Sequence, residues 1–278
     1  EALICLEKMR GEGLSPDTFT YVCILKACGN IQKGREVHGE VIELMKEGLL
    51  NDNVILNTAL LGMYAKFGEL SDAQEVFDKI TIRNVVSWTA LIGGYAQCGY
   101  GEEALKCFAL MQEEGVPPDV FTFVCTLTAI GSIGVAMEGR GVHARIVRDM
   151  SVGKSIGVDT ALVDMYAKCG LLSMAENLFD DLPKRNVVSW TALIAGYTEQ
   201  GLGEEAFDLA KQMQESGVLP NAITFLNILY VCSHSGLLSK ACECFALMQL
   251  KGIIPSLEHY NCMVDLVGRL GLLDEGEM

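Results

Sequence analysis

The stretch NVVSWTALIGGYAQCGYGEEAL begins at Asn84, and a near copy, NVVSWTALIAGYTEQGLGEEAF, begins at Asn186. The sequence contains a second pair of similar stretches: ALLGMYAKFGELSDAQEVFDKI starts at Ala59, and ALVDMYAKCGLLSMAENLFDDL starts at Ala161. Both pairs are offset by 102 residues. Internal repetition of this kind indicates a fold built from small units that stack in order along the chain.

Each period of 102 residues contains three smaller repeats, which appear when glycines and prolines are aligned. Their lengths follow the order 36, 31 and 35 in the repeats 18–53, 54–84, 85–119, 120–155, 156–186 and 187–221, and a seventh full repeat, 222–256, has 35 residues. Residues 1–17 are the back half of an earlier repeat, and residues 257–278 are the front half of a later one. We therefore expect a single repeat array over 1–278 that belongs to a longer protein.

Conserved spacing inside the repeats predicts two helices in each. Glycine is fifteenth in six repeats, where it suits the left-handed end of a first helix: Gly68, Gly99, Gly170, Gly201, Gly236 and Gly271. Alanine is twentieth in five, where a small side chain allows helices to cross closely: Ala73, Ala104, Ala175, Ala206 and Ala241. The predicted fold is all-α, a right-handed α-solenoid of about fifteen helices without strands. First helices are predicted near 86–97 and 188–199, and second helices near 101–114 and 203–216.

Composition limits the classes of function. No run of about 18 apolar residues occurs, so no membrane span is predicted. Eleven cysteines at helix-like positions, such as Cys28, Cys98, Cys169 and Cys232, suggest buried reduced thiols and a reducing compartment. The formal charge of −15 opposes nucleic-acid binding unless charge is segregated by face. Lys66, Lys168, Arg269, Arg83, Lys184 and Arg185 are candidates for a basic face, opposite acidic pairs that open second helices.

The alternation of long, short and standard repeats resembles the PLS subfamily of plant pentatricopeptide-repeat proteins. The residues that carry the resemblance are VVSWTALI-x-GY in the standard repeats, MYAK-x-G in the short repeats, and GREVH and GRGVH in the long repeats. The resemblance covers essentially the whole chain. It implies binding of single-stranded RNA in a plastid or mitochondrion, as part of an RNA-processing factor, with C-to-U editing as the expected process. Related proteins often carry a C-terminal deaminase-like domain.

The resemblance also implies one RNA base per repeat, with the N-to-C direction of the chain following RNA 5′ to 3′. Each base is selected by the fifth and the last residue of its repeat. The selecting pairs are Thr58 with Asn84, Thr89 with Asp119, Thr160 with Asn186, and Thr191 with Asn221. The second residue of a repeat packs on the face of a base, and these residues are Ile55, Val86 and Val188. In 156–186 the second residue is Gly157, which offers almost no packing surface.

Hydrogen-bond chemistry agrees with that assignment. A carboxylate such as Asp119 only accepts, so it suits the ring N–H of guanine, whereas an asparagine amide can donate to the bare ring nitrogen of adenine. Val22, Val124 and Leu226, the fifth residues of 18–53, 120–155 and 222–256, cannot hydrogen-bond a base edge. The preferred core is therefore predicted to read 5′-A-G-N-A-A, with no base selected by 120–155.

The long repeats 18–53 and 120–155 are predicted to contact a protein editing cofactor through apolar residues such as Ile146 and Val147.

His38 is three residues earlier in its repeat than His143, so a shorter interhelical turn and a longer tail are predicted for 18–53. His38-Gly39-Glu40 matches half of a zinc-deaminase signature, but no P-C-x-x-C accompanies it. We interpret His38 and Trp88 as structural residues, and expect no enzyme activity, metal or cofactor. The alternative function is a protein-binding helical scaffold.

Overall fold

The computed structural model describes residues 2–50, 53–149 and 155–271, which contain sixteen α-helices and no β-strand. The all-α prediction is confirmed for these ranges. The helices are α1 (Ala2–Gly11), α2 (Thr18–Ala27), α3 (Ile31–Lys46), α4 (Val54–Lys66), α5 (Leu70–Lys79), α6 (Val85–Gln97), α7 (Gly101–Glu113), α8 (Val120–Ile133), α9 (Ala136–Arg148), α10 (Ile156–Lys168), α11 (Leu172–Asp180), α12 (Val187–Glu199), α13 (Gly203–Glu215), α14 (Ala222–Ser235), α15 (Leu238–Leu250) and α16 (Leu257–Arg269). The predicted helices near 86–97, 101–114, 188–199 and 203–216 agree with α6, α7, α12 and α13 to within one residue.

Even-numbered helices are the first helices of their repeats, and odd-numbered helices are the second. The chain forms two compact segments: an N-terminal segment up to Ile133, and a C-terminal segment from Gly134. Within each segment, every first helix packs on the next first helix, as α4 does on α6 and α12 on α14. Within each segment, the second helices pack on the first helices next to them in the chain, as α5 does on α4 and α6, and α13 on α12 and α14. Each segment therefore has two layers, with the first helices side by side.

Glycines end the first helices where the spacing predicted. Their φ angles lie between +69° and +81°, in the left-handed region that other residues avoid, at Gly68, Gly99, Gly170, Gly201, Gly236 and Gly271. The twentieth-position alanines are at most 1% exposed where the helices of a repeat cross. Trp88 and Trp190 are buried against Phe77 and Phe179, with ring centroids 4.6 and 4.7 Å apart, which confirms their place in the core.

Successive first helices approach each other more closely than most side chains would allow. A methyl group on Gly94 of α6 would lie 2.7 Å from the Cβ of Ala65 on α4. The equivalent position in the C-terminal segment is Gly196, where a methyl group would lie 2.5 Å from the Cβ of Ala167. The small residues at these positions let neighbouring first helices pack backbone against backbone near their C-terminal ends.

Two sequence-based expectations need correction. In 18–53 the turn between the helices is not shorter, since three residues separate α2 from α3 and two separate α8 from α9. The earlier position of His38 is absorbed by a shorter first helix of 10 residues and a longer second helix of 16. The cysteines are free thiols, but Cys98 is exposed and Cys169 is half-buried, so their burial is only partial. Burial raises the pKa of Cys107 to about 11 and that of Cys244 to about 12.

Replacing Gly94 with alanine is expected to lower the free energy of unfolding by about 1–3 kcal/mol, because the new methyl group overlaps Ala65. Gly62→Ala is the matched control in α4. A methyl group there meets nothing within 4 Å, and alanine is favoured over glycine inside a helix by about 0.5–1 kcal/mol. Urea unfolding followed by circular dichroism measures both variants. Equal effects of the two substitutions would contradict the close packing of α4 on α6.

Candidate functional site

The first helices of the N-terminal segment line a concave groove of about 500 Å³ that contains four of the predicted site residues. These are Ile55 and Thr58 from α4, together with Asn84 and Val86 at the start of α6. Lys26 and Lys66 line the same groove. The fifth residue of one repeat, its last residue and the second residues of two successive repeats thus converge on one surface, although they are up to 31 positions apart in sequence.

The predicted base-packing residues are exposed apolar side chains. Ile55, Val86 and Val188 are 68%, 58% and 59% exposed, in the first turns of α4, α6 and α12. The same position holds three more exposed apolar residues that the sequence analysis did not select: Phe19, Phe121 and Ile223, at 74%, 71% and 60%. Their place as second residues of 18–53, 120–155 and 222–256 was the signal that could have identified them. They pack against no core, so they are available to a flat apolar ligand.

The last residue of each selecting pair caps the next first helix. Asn84, Asn186 and Asn221 are the N-caps of α6, α12 and α14, and each Oδ1 accepts the backbone N–H three residues later at 2.9 Å. Asp119 makes the same contact before α8, since its Oδ1 accepts from the backbone N–H of Thr122 at 2.8 Å. Asparagine and aspartate are favoured at this position because a short side chain reaches the unpaired N–H groups of the first turn.

Capping leaves each of these side chains with one kind of free atom. When the Oδ1 of an asparagine is held by the helix, its Nδ2 group remains, and that group only donates. When one oxygen of Asp119 is held, the other oxygen remains and only accepts. Within the described ranges, no protein partner is found for the Nδ2 of Asn84, Asn186 or Asn221, or for the second oxygen of Asp119.

The four fifth-position threonines adopt different hydrogen-bonding arrangements. The hydroxyl of Thr58 donates to the carbonyl of Val54 at 2.6 Å, and that of Thr160 is buried with no partner in the described part of the chain. Thr89 and Thr191 instead contact threonines at the start of the following first helix, Thr122 at 2.7 Å and Thr224 at 2.8 Å. Only the two standard repeats, 85–119 and 187–221, have this threonine pair.

Charge is distributed unevenly between the layers. The helices α2, α4, α6 and α8 contain Lys26 and Lys66 and no acidic residue. The helices α10, α12, α14 and α16 hold two basic and five acidic residues, while the eight second helices hold twelve basic and eighteen acidic residues. The expected acidic first turns are present in α7 and α13. The N-terminal segment therefore has the first-helix face best suited to an anionic ligand.

Most of the other candidate cations have protein partners. Arg83 pairs with Glu114 at 2.7 Å and stacks on Phe77, and Arg185 pairs with Asp180 at 2.7 Å. Lys168 and Arg269 pair with acidic residues one turn away on their own helices, Asp164 and Asp265. Lys66 donates to the carbonyl of Cys28 at 3.0 Å and keeps two further N–H groups.

His38, which lies in the partial zinc-deaminase motif, has a structural contact, and so does its counterpart His143. His38 Nδ1 is 2.7 Å from the Tyr64 hydroxyl, and His143 repeats the contact with Tyr166 at 3.0 Å. Burial lowers the pKa of both histidines.

In the described ranges no three His, Cys, Asp or Glu side chains cluster as metal ligands, and no helix there is long and apolar enough to cross a bilayer. Of the two apolar residues proposed as a protein contact, Val147 is 72% exposed and Ile146 is half-buried.

The chain matches models of one family of repeat proteins. A family model described as the PPR repeat family matches residues 83–131 and 185–234, and a second, the PPR repeat, matches 58–85, 160–187 and 223–253. A chloroplastic pentatricopeptide repeat-containing protein of Arabidopsis thaliana is 39% identical over 99% of this chain, and a mitochondrial one is 37% identical over 99%. The chain spans 34% and 49% of the length of these two relatives.

Among solved structures, the pentatricopeptide repeat protein PPR10 in complex with an 18-nucleotide psaJ RNA element has the same fold, with a TM-score of 0.67. It is 23% identical in sequence, and the match covers 99% of this chain and 46% of PPR10. The chloroplastic and mitochondrial locations of the relatives confirm the expectation of a plastid or mitochondrial protein. Together, the matched repeats and the stacked helical hairpins show that the chain belongs to the pentatricopeptide-repeat family.

Proposed function

We propose that this chain binds single-stranded RNA along its first-helix face and selects one base with each of four repeats. The observation that carries the proposal is the capping of α6, α8, α12 and α14. Each cap leaves a single polar group of known polarity free, beside an exposed apolar residue in the same first turn. A polar group that reads a base edge, next to an apolar group that packs on the base face, is how proteins recognise unstacked RNA bases.

The polarity of each free group assigns a base. Asn84, Asn186 and Asn221 present an amide donor, which matches the bare ring nitrogen of adenine, whereas Asp119 presents an acceptor for the ring N–H of guanine. The order of the repeats then gives the core 5′-A-G-N-A-A. The N-terminal segment reads the first two bases, and the C-terminal segment reads the last two.

Base packing extends beyond the selecting repeats. Ile55, Val86 and Val188 would pack on the bases that their repeats select. Phe121 would stack on the unselected base N, because its ring is exposed and the fifth residue of its repeat, Val124, has no polar group. An aromatic ring without a polar selector explains how 120–155 could hold a base of any kind.

The wider role follows from the relatives and remains part of this proposal. PPR10 was crystallised with RNA, and the relatives are longer organellar proteins, so we place the chain in a plastid or mitochondrial mRNA-processing factor of the PLS type. C-to-U editing is the proposed process. An editing cofactor of protein nature would dock on the long repeats, where Val147 is exposed. A scaffold that binds only protein is the competing function, and the RNA-binding measurements below separate the two.

Asp119→Asn is expected to change the preferred second base from guanine to adenine. The asparagine keeps an Oδ1 to cap α8 and replaces a free acceptor with a free donor, so discrimination should reverse by about 1–3 kcal/mol. Fluorescence anisotropy with 5′-AGNAA and 5′-AANAA oligonucleotides measures the ratio of the two dissociation constants.

The reciprocal variant, Asn221→Asp, is the matched control, because it should change the fifth base from adenine to guanine without altering the second. Asp119→Ala removes capping and reading together. It should lose base preference and also about 1 kcal/mol of stability, because α8 loses its cap. If wild type and both exchange variants bind all the oligonucleotides equally, base selection is wrong and the scaffold function is favoured.

Lys66→Gln is expected to weaken binding to every RNA sequence by a similar factor, because a phosphate contact carries no base information. The slope of log Kd against log salt should fall by about 0.7, the value for one phosphate contact on a single strand. Lys79→Gln on α5 is the control, since Lys79 lies in the second-helix layer and pairs with Glu75 at 2.7 Å. An unchanged slope for Lys66→Gln would remove this groove from the phosphate path.

A further inference from the structure

We propose that Thr122, which lies outside the selecting pair of 85–119, fixes the polarity of the Thr89 hydroxyl and so makes that repeat reject uracil in favour of guanine. The inference rests on the proposed RNA-binding function and deepens it by adding a positioning residue. Thr122 is the third residue of the following repeat, and it is fully buried in the first turn of α8.

Three side chains form a short hydrogen-bonded chain at this point. The Thr122 hydroxyl is 2.9 Å from the Oδ1 of Asp119 and 2.7 Å from the hydroxyl of Thr89. Its oxygen also accepts the backbone N–H of Asp119 at 3.2 Å. The two residues that select the base are therefore linked to each other through a third residue that does not face the groove.

Counting protons determines the direction of each bond. An ionised carboxylate only accepts, so the single proton of the Thr122 hydroxyl is donated to Asp119. Thr122 then has no proton left for Thr89, and the contact between the two hydroxyls requires Thr89 to be the donor. With its proton committed to Thr122, Thr89 can offer a base only its oxygen lone pairs, which makes it an acceptor.

Two acceptors side by side match guanine and mismatch uracil. The Watson–Crick edge of guanine presents the ring N–H and the exocyclic amino group next to each other, so both Asp119 and Thr89 gain a donor. Uracil also has a ring N–H, so the carboxylate alone separates it poorly from guanine. Carbonyl oxygens flank that N–H on both sides, and an acceptor hydroxyl facing one of them is repelled.

The other standard repeat has the same arrangement with a different last residue. Thr224 is 3.0 Å from the Oδ1 of Asn221 and 2.8 Å from the hydroxyl of Thr191. There the acceptor hydroxyl of Thr191 suits the exocyclic amino group of adenine, beside the donor amide of Asn221. The same threonine pair therefore suits both purines, and the last residue of the repeat discriminates between adenine and guanine.

The short repeat 54–84 provides a natural contrast. The third residue of the following repeat is Ser87, whose hydroxyl donates to the backbone carbonyl of Asn84 at 2.9 Å. Thr58 bonds to the carbonyl of Val54 within its own helix instead. Ser87 thus shares the capping role of Thr122 but has no contact with a base-reading hydroxyl among the described residues. Removal of the Ser87 hydroxyl therefore tests the effect of capping alone.

The experiment compares the binding of 5′-AGNAA and 5′-AUNAA by wild type and by Thr122→Val, which keeps the shape of the side chain and removes its hydroxyl. The wild-type preference for guanine over uracil is expected to fall about tenfold in the variant, because the freed proton of Thr89 can turn toward a uracil carbonyl. Preferences at the first, fourth and fifth bases should stay unchanged. Thr122→Ser retains the hydroxyl and should retain the wild-type ratio.

Two further variants separate this role from general destabilisation. Ser87→Ala should leave the guanine-to-uracil ratio at the second base unchanged, although it removes a capping hydroxyl. Thr89→Val removes the acceptor itself and should lower the ratio as Thr122→Val does, which decides the matter if Thr122→Val does not fold. An undiminished ratio in folded Thr122→Val or in Thr89→Val would overturn the inference. Absence of any base preference in wild type would instead overturn the proposed function.

Discussion

The N-terminal caps of the first helices are the contacts on which the candidate site depends. A single atom, the Oδ1 of Asn84, Asp119, Asn186 or Asn221, satisfies a backbone N–H that would otherwise lack a partner. The same bond orients the side chain, so that the remaining polar atom has one defined polarity. Helix initiation and the proposed base selection therefore use the same side chain, so truncation to alanine would remove both, whereas an exchange of asparagine and aspartate would keep the cap and change the free atom.

Close packing of the first helices gives these caps their common surface. Because Gly94 lies against Ala65, and Gly196 against Ala167, the helices approach without intervening side chains. Reading groups from two successive repeats then line one groove, as Thr58, Asn84 and Val86 do. A bulkier residue at these positions would force the C-terminal ends of neighbouring first helices apart.

The acidic composition of the chain is compatible with an anionic ligand because of where the charges lie. Among the helices, the acidic excess lies mainly in the second-helix layer, and α2, α4, α6 and α8 carry only Lys26 and Lys66. The first helices of the C-terminal segment are less favourable, with more acidic than basic residues. Electrostatic attraction would thus come mainly from the N-terminal segment, whereas the proposed base selection would rest on hydrogen bonds and apolar contacts in both segments.

Local features were predictable from the sequence because they depend on residues within a few positions of each other. The helices, their glycine ends and the buried alanines follow from spacing, as does the placement of Asn84 and Asp119 immediately before a helix. The family followed from matching those positions across repeats, and the candidate site residues were assigned from the resemblance to that family. Even here, Phe19, Phe121 and Ile223 were missed, although they occupy the position already recognised in Ile55 and Val86.

The contacts that only the tertiary structure determined join residues about thirty positions apart in the sequence. Arg83, expected to contribute to a basic face, is held by Glu114, and Thr89 is bound to Thr122. The four fifth-position threonines are identical in sequence, yet one donates to its own helix, one has no partner and two bond to the next repeat. Spacing within a repeat specifies which residue type occupies a position. The direction of its hydrogen bonds is set by the neighbouring helix that packs against it, which only the fold brings into contact.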